Sequence, residues 1–259
     1  MKMIIAFLGK GGVGKTTIST AFALEKSNSY KVALISMDSI PMTKMILDEK
    51  INSLDVYEYT EYDVRSEWKN TYGEEVYNLI TSFFDIDRSI IDHISNAPGI
   101  DDEFMLAKLL ELKDKYDYMV WDTAASSSTI HLLLLEKEFY EHINNDIKFY
   151  LSIKETLSKI RRKNVNPLEI LNKWKKLAED VWNLLKFDTQ YFIVKTDDDL
   201  SYLQGKIIHD ELSKMGLSVK AHILNRSKGK YECDIKIPEF TGSSREIVEM
   251  VRPFLRKII

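Results

Sequence analysis

The sequence predicts an α/β fold, a doubly wound and mostly parallel sheet with a helical insertion layer. Three observations predict it. Apolar runs of strand length alternate with segments of helical period along the 259 residues. The first run, Ile4-Ile5-Ala6-Phe7-Leu8, enters a glycine-rich turn and then a helix-compatible segment, Ile18 to Lys26. Two later runs, Val32-Ala33-Leu34-Ile35 and Tyr118-Met119-Val120-Trp121, lead to Asp38 and Asp122. Both aspartates fall at the strand end where open parallel sheets bind their ligands.

The turn reads Gly9-Lys10-Gly11-Gly12-Val13-Gly14-Lys15-Thr16-Thr17. Strand, glycine loop, Gly-Lys-Thr and helix follow in the order of a phosphate-binding P-loop, so the predicted fold is that of a P-loop NTPase. Glycines let successive backbone N–H groups turn inward toward phosphate oxygens. The following helix N-terminus adds partial positive charge. Lys15 is expected on the β- and γ-phosphates of ATP, and the Thr16 hydroxyl on Mg²⁺. Asp122, directly after a buried run, has the form of a Walker B carboxylate that holds the same Mg²⁺.

The other elements follow in order. Residues 42–96 read as helices with tight connections, on the spacing of Met42, Met45 and Ile46 and of Val76, Leu79, Ile80 and Phe83. Tyr57, Tyr59, Tyr62, Trp68, Tyr72 and Tyr77 make this part aromatic, and rings packing a helical layer is the expectation. Asp101 or Asp102 is placed to cap a helix from Glu103 to Lys115. Helices are expected over most of 130–186, with a fresh start at Asn166-Pro167. Tyr191 to Val194 and Val219 to Leu224 read as strands, flanking a helix from Leu200 to Met215 that Gly216 closes. Asp234 to Ile237 reads as a short edge strand and Ser243 to Ile259 as an amphipathic helix. The whole is read as one domain, 1–259, with helical subdomain segments at about 42–96 and 136–186.

Composition narrows the function. Hydrophobic residues at 44% and charged residues at 29% are ordinary for a soluble globular chain. No apolar run is long enough to cross a bilayer, and the N-terminal run enters the P-loop without a cleavage region, which predicts a cytoplasmic protein. A net charge of −4 argues against a nucleic-acid partner. Acids crowd 58–87 and bases 159–176, as solvated helix faces or as surfaces that meet each other or a partner. Cys233 is the single cysteine, so a subunit holds no internal disulfide and no multi-cysteine metal site.

The pattern Gly-Lys-Gly-Gly-Val-Gly-Lys-Thr-Thr resembles the deviant P-loop of the class that includes the cell-division and plasmid-partition ATPases, the nitrogenase iron protein and the arsenite-efflux ATPase. In that class the extra lysine, here Lys10, points at the nucleotide of the opposite subunit. The resemblance therefore implies a homodimer closed across the nucleotide, with Lys10 acting as a finger in trans. Further segments resemble the arsenite-efflux ATPase and the guided-entry ATPase that delivers tail-anchored membrane proteins. These are Pro98-Gly99-Ile100-Asp101, Asp122-Thr123-Ala124 with Thr129 and Leu132-Leu133, Asn225 after a strand, and Pro238. They imply that Asn225 and Pro238 contact adenine and that Asp38, in switch I, orients the attacking water. The chain departs from the family where switch I would read Asp-Pro-Ala-His and instead reads Asp38-Ser39-Ile40-Pro41. Switch II continues Ala125-Ser126-Ser127-Ser128 in place of Pro-Thr-Gly-His. The paired zinc-binding cysteines and the arsenite-binding cysteines of family members are absent.

The leading expectation is a Mg²⁺-ATP-dependent homodimeric switch ATPase that controls binding of a protein or tail-anchored membrane-protein client. One alternative is a cell-division or partition-type positioning ATPase whose terminal amphipathic helix lies on a membrane. Another is a nucleotide-binding scaffold with weak hydrolysis, given the altered switches. One cysteine supplies neither an arsenite site nor an iron–sulphur cluster within a subunit.

Overall fold

The computed structural model describes residues 2–37, 43–47, 53–81, 85–97, 99–123, 129–138, 140–142, 167–256 and 258. Seven strands form one sheet in the order β3-β2-β4-β1-β5-β6-β7. They are β1 (Met3–Leu8), β2 (Val32–Met37), β3 (Leu54–Tyr59), β4 (Tyr118–Asp122), β5 (Thr189–Thr196), β6 (Val219–Ser227) and β7 (Ile235–Pro238). Every pairing is parallel. All six residues of β1 are buried, as a central strand with both faces covered requires. Helix α1 (Lys15–Ser27) follows β1, and Phe22 on it meets Phe7 edge-on at 5.7 Å. Phe7 also packs on Phe192 of β5.

Leu54–Tyr59 corrects the sequence reading, which made all of 42–96 helical. It pairs with β2 from Val32↔Leu54 to Met37↔Tyr59. The segment Leu-Asp-Val-Tyr-Glu-Tyr carries the β-formers Val56, Tyr57 and Tyr59 and is half-buried beyond Leu54, as suits an edge strand. Tyr57 therefore belongs to the sheet. Its hydroxyl lies 2.6 Å from that of Tyr116, which donates to Asp55 at 2.7 Å.

The remaining helices are α2 (Thr43–Leu47), α3 (Glu61–Thr81), α4 (Ile90–Ser95), α5 (Ile100–Leu112), α6 (residues 129–138), α7 (Pro167–Asn183), α8 (Asp199–Lys214) and α9 (Ser244–Leu255). Helix α7 begins at the expected proline and runs into a π-turn, Leu184–Asp188. Helix α5 begins earlier than expected, at Ile100. Asp101 thus sits inside the first turn and pairs with Arg65 at 3.2 Å instead of capping. Ser243 and Glu246 form a capping box at the start of α9. Val248, Val251 and Leu255 of α9 are buried in the cluster that holds Phe7, Phe22 and Phe192. Arg252 and Arg256 reach Glu25 of α1 at 3.3 and 2.9 Å. The apolar side of α9 is thus taken up by the core, which leaves little of it for a membrane surface.

The chain divides into two compact units. One comprises Met1–Thr60, Glu111–His131 and Leu184–Ile259 and holds the sheet; the other comprises Glu61–Leu110 and Leu132–Asn183 and is helical. Inside the helical unit, Tyr72 contacts Trp68 and Phe104, and Tyr140 stacks on Trp182. Lys173 and the Trp174 indole N–H both reach Glu75, the latter at 2.9 Å. The acidic and basic stretches of the sequence meet there. No helix among the described residues is long and apolar enough to cross a membrane.

Candidate nucleotide-binding site

The loop from Gly9 to Gly14 leaves the C-terminal end of β1 and enters α1. Two of its glycines take left-handed backbone, Gly12 at φ 82° and Gly14 at φ 92°, a region that side chains avoid. Gly9 has a different reason: a Cβ there would run into the Val194 carbonyl oxygen of β5. A Cβ at Gly14 would strike the Asn225 amide. Asn225, buried at the end of β6, donates from Nδ2 to the Val13 carbonyl at 2.8 Å. The loop is thus clamped from two neighbouring strands. Its outer side is open, because a Cβ at Gly11 or Gly12 would meet nothing within 4 Å.

The N-terminus of α1 is left for an anion. Gly14 offers no side-chain cap, and the first turn holds no acidic residue. Its first amides keep their partial positive charge. Lys15 is 9% exposed, and its ammonium donates to the carbonyl of Gly9 at 3.0 Å and of Lys10 at 3.4 Å. Burial pushes its pKa below the ordinary lysine value, against the pull of the Asp122 carboxylate. Asp122 is buried at the end of β4, in register with Phe7 of β1. The next residue, Thr123, donates its hydroxyl to the Phe7 carbonyl at 2.7 Å and ties the two strand ends together. Thr16 and Thr17 are half-buried in the first turn of α1.

These groups fit a nucleotide triphosphate. An open glycine cradle, an uncapped helix N-terminus and a buried ammonium all address phosphate oxygens. The Thr16 hydroxyl and the Asp122 carboxylate also fit Mg²⁺, which takes few protein oxygens and keeps its waters.

The structure therefore brings together Gly9, Gly11, Gly12, Val13, Gly14, Lys15, Thr16, Thr17, Asp122 and Asn225. Lys10 is half-buried on the same loop. Its charge helps hold Asp198 below the usual carboxylate range, after the Thr196 hydroxyl and the Ser201 amide. Pro238 ends β7, exposed, at the same C-terminal end of the sheet but three strands away from β1. Asp38 with the rest of switch I, Pro98, and the switch II residues 124–128 lie outside the described residues.

Sequence reasoning missed the acidic run after β5. Asp198 caps α8 by accepting from Ser201 N–H at 2.8 Å. Asp197 accepts from the backbone of Lys228 and Lys230 and holds the loop after β6. Three aspartates directly after a buried strand were the available signal.

Comparison with known proteins identifies the family. The sequence profile of the anion-transporting ATPases matches residues 1–246. A putative arsenical pump-driving ATPase 2 of Aquifex aeolicus is 28% identical over 271 residues, covering 98% of this chain and 88% of that protein. An ATPase ASNA1 homolog of Plasmodium vivax is 28% identical over 263 residues, with 97% of this chain and 59% of that protein covered. The arsenical pump-driving ATPase of Escherichia coli is 27% identical over 237 residues, 85% of this chain and 38% of that protein. The chain thus spans most of the Aquifex protein but about three fifths of the Plasmodium one. The profile match over nearly the whole length, carried by a complete P-loop on a parallel sheet, means that the chain belongs to the anion-transporting ATPase family.

Proposed function

We propose that this chain is a cytoplasmic, Mg²⁺-ATP-dependent homodimeric switch ATPase that controls binding of a protein or tail-anchored membrane-protein client. One observation carries the reading: the Lys15 ammonium rests on two carbonyls of its own loop, beside a buried strand-end carboxylate. In the nucleotide-bound protein Lys15 leaves those carbonyls for the β- and γ-phosphates, where charge-assisted bonds are strong. Mg²⁺, held by Thr16 and Asp122, would neutralise phosphate charge. Asp38 orients the attacking water, and ADP and phosphate are the products. Lys10 of each subunit serves the nucleotide of the other and meets charge that develops on the transferred phosphoryl group. Asn225 and Pro238 frame the base.

The client part rests on the resemblance of the motifs to the guided-entry branch and on the helical unit as the part left for a partner. An arsenite substrate is not carried over from the relatives' names, because Cys233 is the single cysteine of the chain.

Three measurements test the reading. Lys15→Ala should lose tight ATP binding by calorimetry, since each lost bond is worth about 1.5–3 kcal/mol. Unchanged affinity there overturns the phosphate assignment. Asp38→Asn should bind ATP and turn it over far more slowly, whereas a wild-type rate leaves Asp38 a strand-end residue. Light scattering with a non-hydrolysable ATP analogue and Mg²⁺ should give a dimer for wild type and a weaker one for Lys10→Ala. A wild-type protein that hydrolyses ATP only feebly at saturating Mg²⁺ would favour a nucleotide-gated scaffold instead.

A further inference from the structure

The sheet has a gap at the end opposite the nucleotide loop. Strand β6 begins at Val219, but its first residue paired with β7 is Ile223, which faces Ile235. Residues 219–222 therefore have no β7 neighbour. Asp234, just before β7, reaches back with its carboxylate and accepts from the His222 N–H at 2.7 Å. The last turn of α9 passes beside this gap with Pro253 and Phe254. The space between them is a cavity of about 530 Å³, within the size range of small-molecule sites.

Its walls have two chemistries. Phe192, Ala221, Ile235 and Ile258 give an apolar floor, and Phe254 of α9 forms one side. Phe254 is 37% exposed, a large apolar side chain that the core does not take up. Lys220 and Lys236 also line the cavity. Lys220 is exposed and has no hydrogen bond or ion pair among the described residues. Lys236 pairs with Glu232 at 2.7 Å, but that carboxylate is 92% exposed, and so exposed a pair is weakly held. The carboxylate on the wall, Asp234, is already bonded to β6. The C-terminal carbonyls of α9 carry only about half a negative charge, against two full ammonium charges. The charge left around the apolar floor is thus positive.

We propose that this cavity binds a medium-chain carboxylic acid, of about eight to twelve carbons, as a second small-molecule site. The chain lies on the Phe192, Ala221 and Ile258 floor under Phe254, and the carboxylate meets Lys220 and Lys236. Both halves of that ligand are needed to use both chemistries of the wall. A bare inorganic anion would leave the apolar floor in water. A neutral chain would gain nothing from the lysines, whereas a carboxylate makes charge-assisted hydrogen bonds with them. The site is separate from the nucleotide. It lies toward the N-terminal end of β6, and the P-loop leaves the C-terminal end of β1.

Octanoate is the probe, titrated by calorimetry with and without the ATP analogue and Mg²⁺. Wild type should bind it with a dissociation constant below about 1 mM in both conditions. Lys220→Glu should weaken octanoate at least about tenfold and leave 1-octanol, the same chain without the charge, within about twofold. Ala221→Ile fills the floor with a residue that strands favour, and it should weaken both compounds at least about tenfold. Thermal unfolding checks that each variant is folded. Wild-type binding of octanoate weaker than about 1 mM overturns the site. So does binding that neither variant changes, which is adsorption elsewhere on the surface. Octanol weakened by Lys220→Glu as much as octanoate overturns the role of the lysine. Octanoate displaced by the analogue is bound at the P-loop, and that result overturns the second site.

Discussion

The sheet unit holds a half-buried base and the helical unit a buried acid. In the sheet unit, His222 of β6 lies in ring contact with His209 of α8, with 2.9 Å between their nitrogens. Burial, then the charges of Lys195 and His209, push its pKa down to about 4, against the pull of Asp234. In the helical unit, Glu136 of α6 is 8% exposed. Burial, then the charge of Glu103, pushes its carboxyl up to about 7. The two shifts act on stability in opposite directions. His222 stays neutral in the fold but takes a proton when unfolded, so the sheet unit loses stability as pH falls from about 6.5 to about 4. Glu136 keeps its proton in the fold but loses it when unfolded, so the helical unit loses stability as pH rises from about 4.5 to about 7. Neutral pH is a compromise between the units.

The glycines differ in the same sense. Gly9 of the sheet unit abuts a backbone carbonyl of β5, which hydrogen bonding holds in place. Gly73, inside α3 of the helical unit, faces side chains instead: a Cβ there would stand 3.2 Å from the Cγ2 methyl of Ile91 and 4.0 Å from the Lys69 Cβ. The largest effect is therefore expected at the loop. Gly9→Ala should lower stability by more than about 3 kcal/mol, or abolish ATP binding where the chain still folds. Thermal unfolding and calorimetry read the two outcomes. A variant that is stable and binds ATP normally would show the β1–β5 contact to be soft.

Glu136→Gln comes next. The amide cannot ionise, so the variant should gain up to about 3 kcal/mol over wild type at pH 8. The gain should vanish near pH 4.5. Chemical denaturation at both values checks this, and an equal difference at both would mean that the carboxyl is not held protonated. His222→Gln is the mirror experiment. It should remove about 1–2 kcal/mol of acid sensitivity between pH 7 and pH 4, less than the full linkage value because the half-exposed ring is screened by solvent. A variant as acid-sensitive as wild type would place that sensitivity elsewhere.

The sheet unit was also the more legible one. β1, β2, β4 and β5 each carry an unbroken apolar run of at least four residues, and burial on both faces writes itself into such runs directly. The P-loop was legible because its chemistry depends on consecutive residues. Leu54–Tyr59 was hidden by its helical-looking neighbours and by mixing apolar and polar residues on both of its faces. Local position offers Asp101 or Asp102 as a cap, whereas the ionic partner of Asp101, Arg65, is 36 residues away. Long-range pairs of that kind leave no periodic trace. His209 with His222 is one, and so is the bond from Asn225 to the Val13 carbonyl across 212 residues. The resemblance placed Asn225 at the base, and the fold adds that its amide is a clamp on the loop.

The smallest effect is expected at Gly73, and it sharpens the contrast most. The residue lies within a 21-residue helix, and its backbone needs no left-handed conformation. Alanine there should gain up to about 1 kcal/mol, because glycine loses more backbone freedom on entering a helix. Against that gain stands a 3.2 Å approach to the Ile91 methyl, tight enough that the side chain must give by a few tenths of an ångström. Ile91 is held in α4 by packing and not by a backbone ladder with α3, so it has room to yield. The two terms should nearly cancel, leaving Gly73→Ala within about 0.5 kcal/mol of wild type in denaturant unfolding. A loss above about 2 kcal/mol would mean that α3 and α4 are locked as tightly as β1 and β5. The helical unit would then be as rigid at that contact as the nucleotide loop.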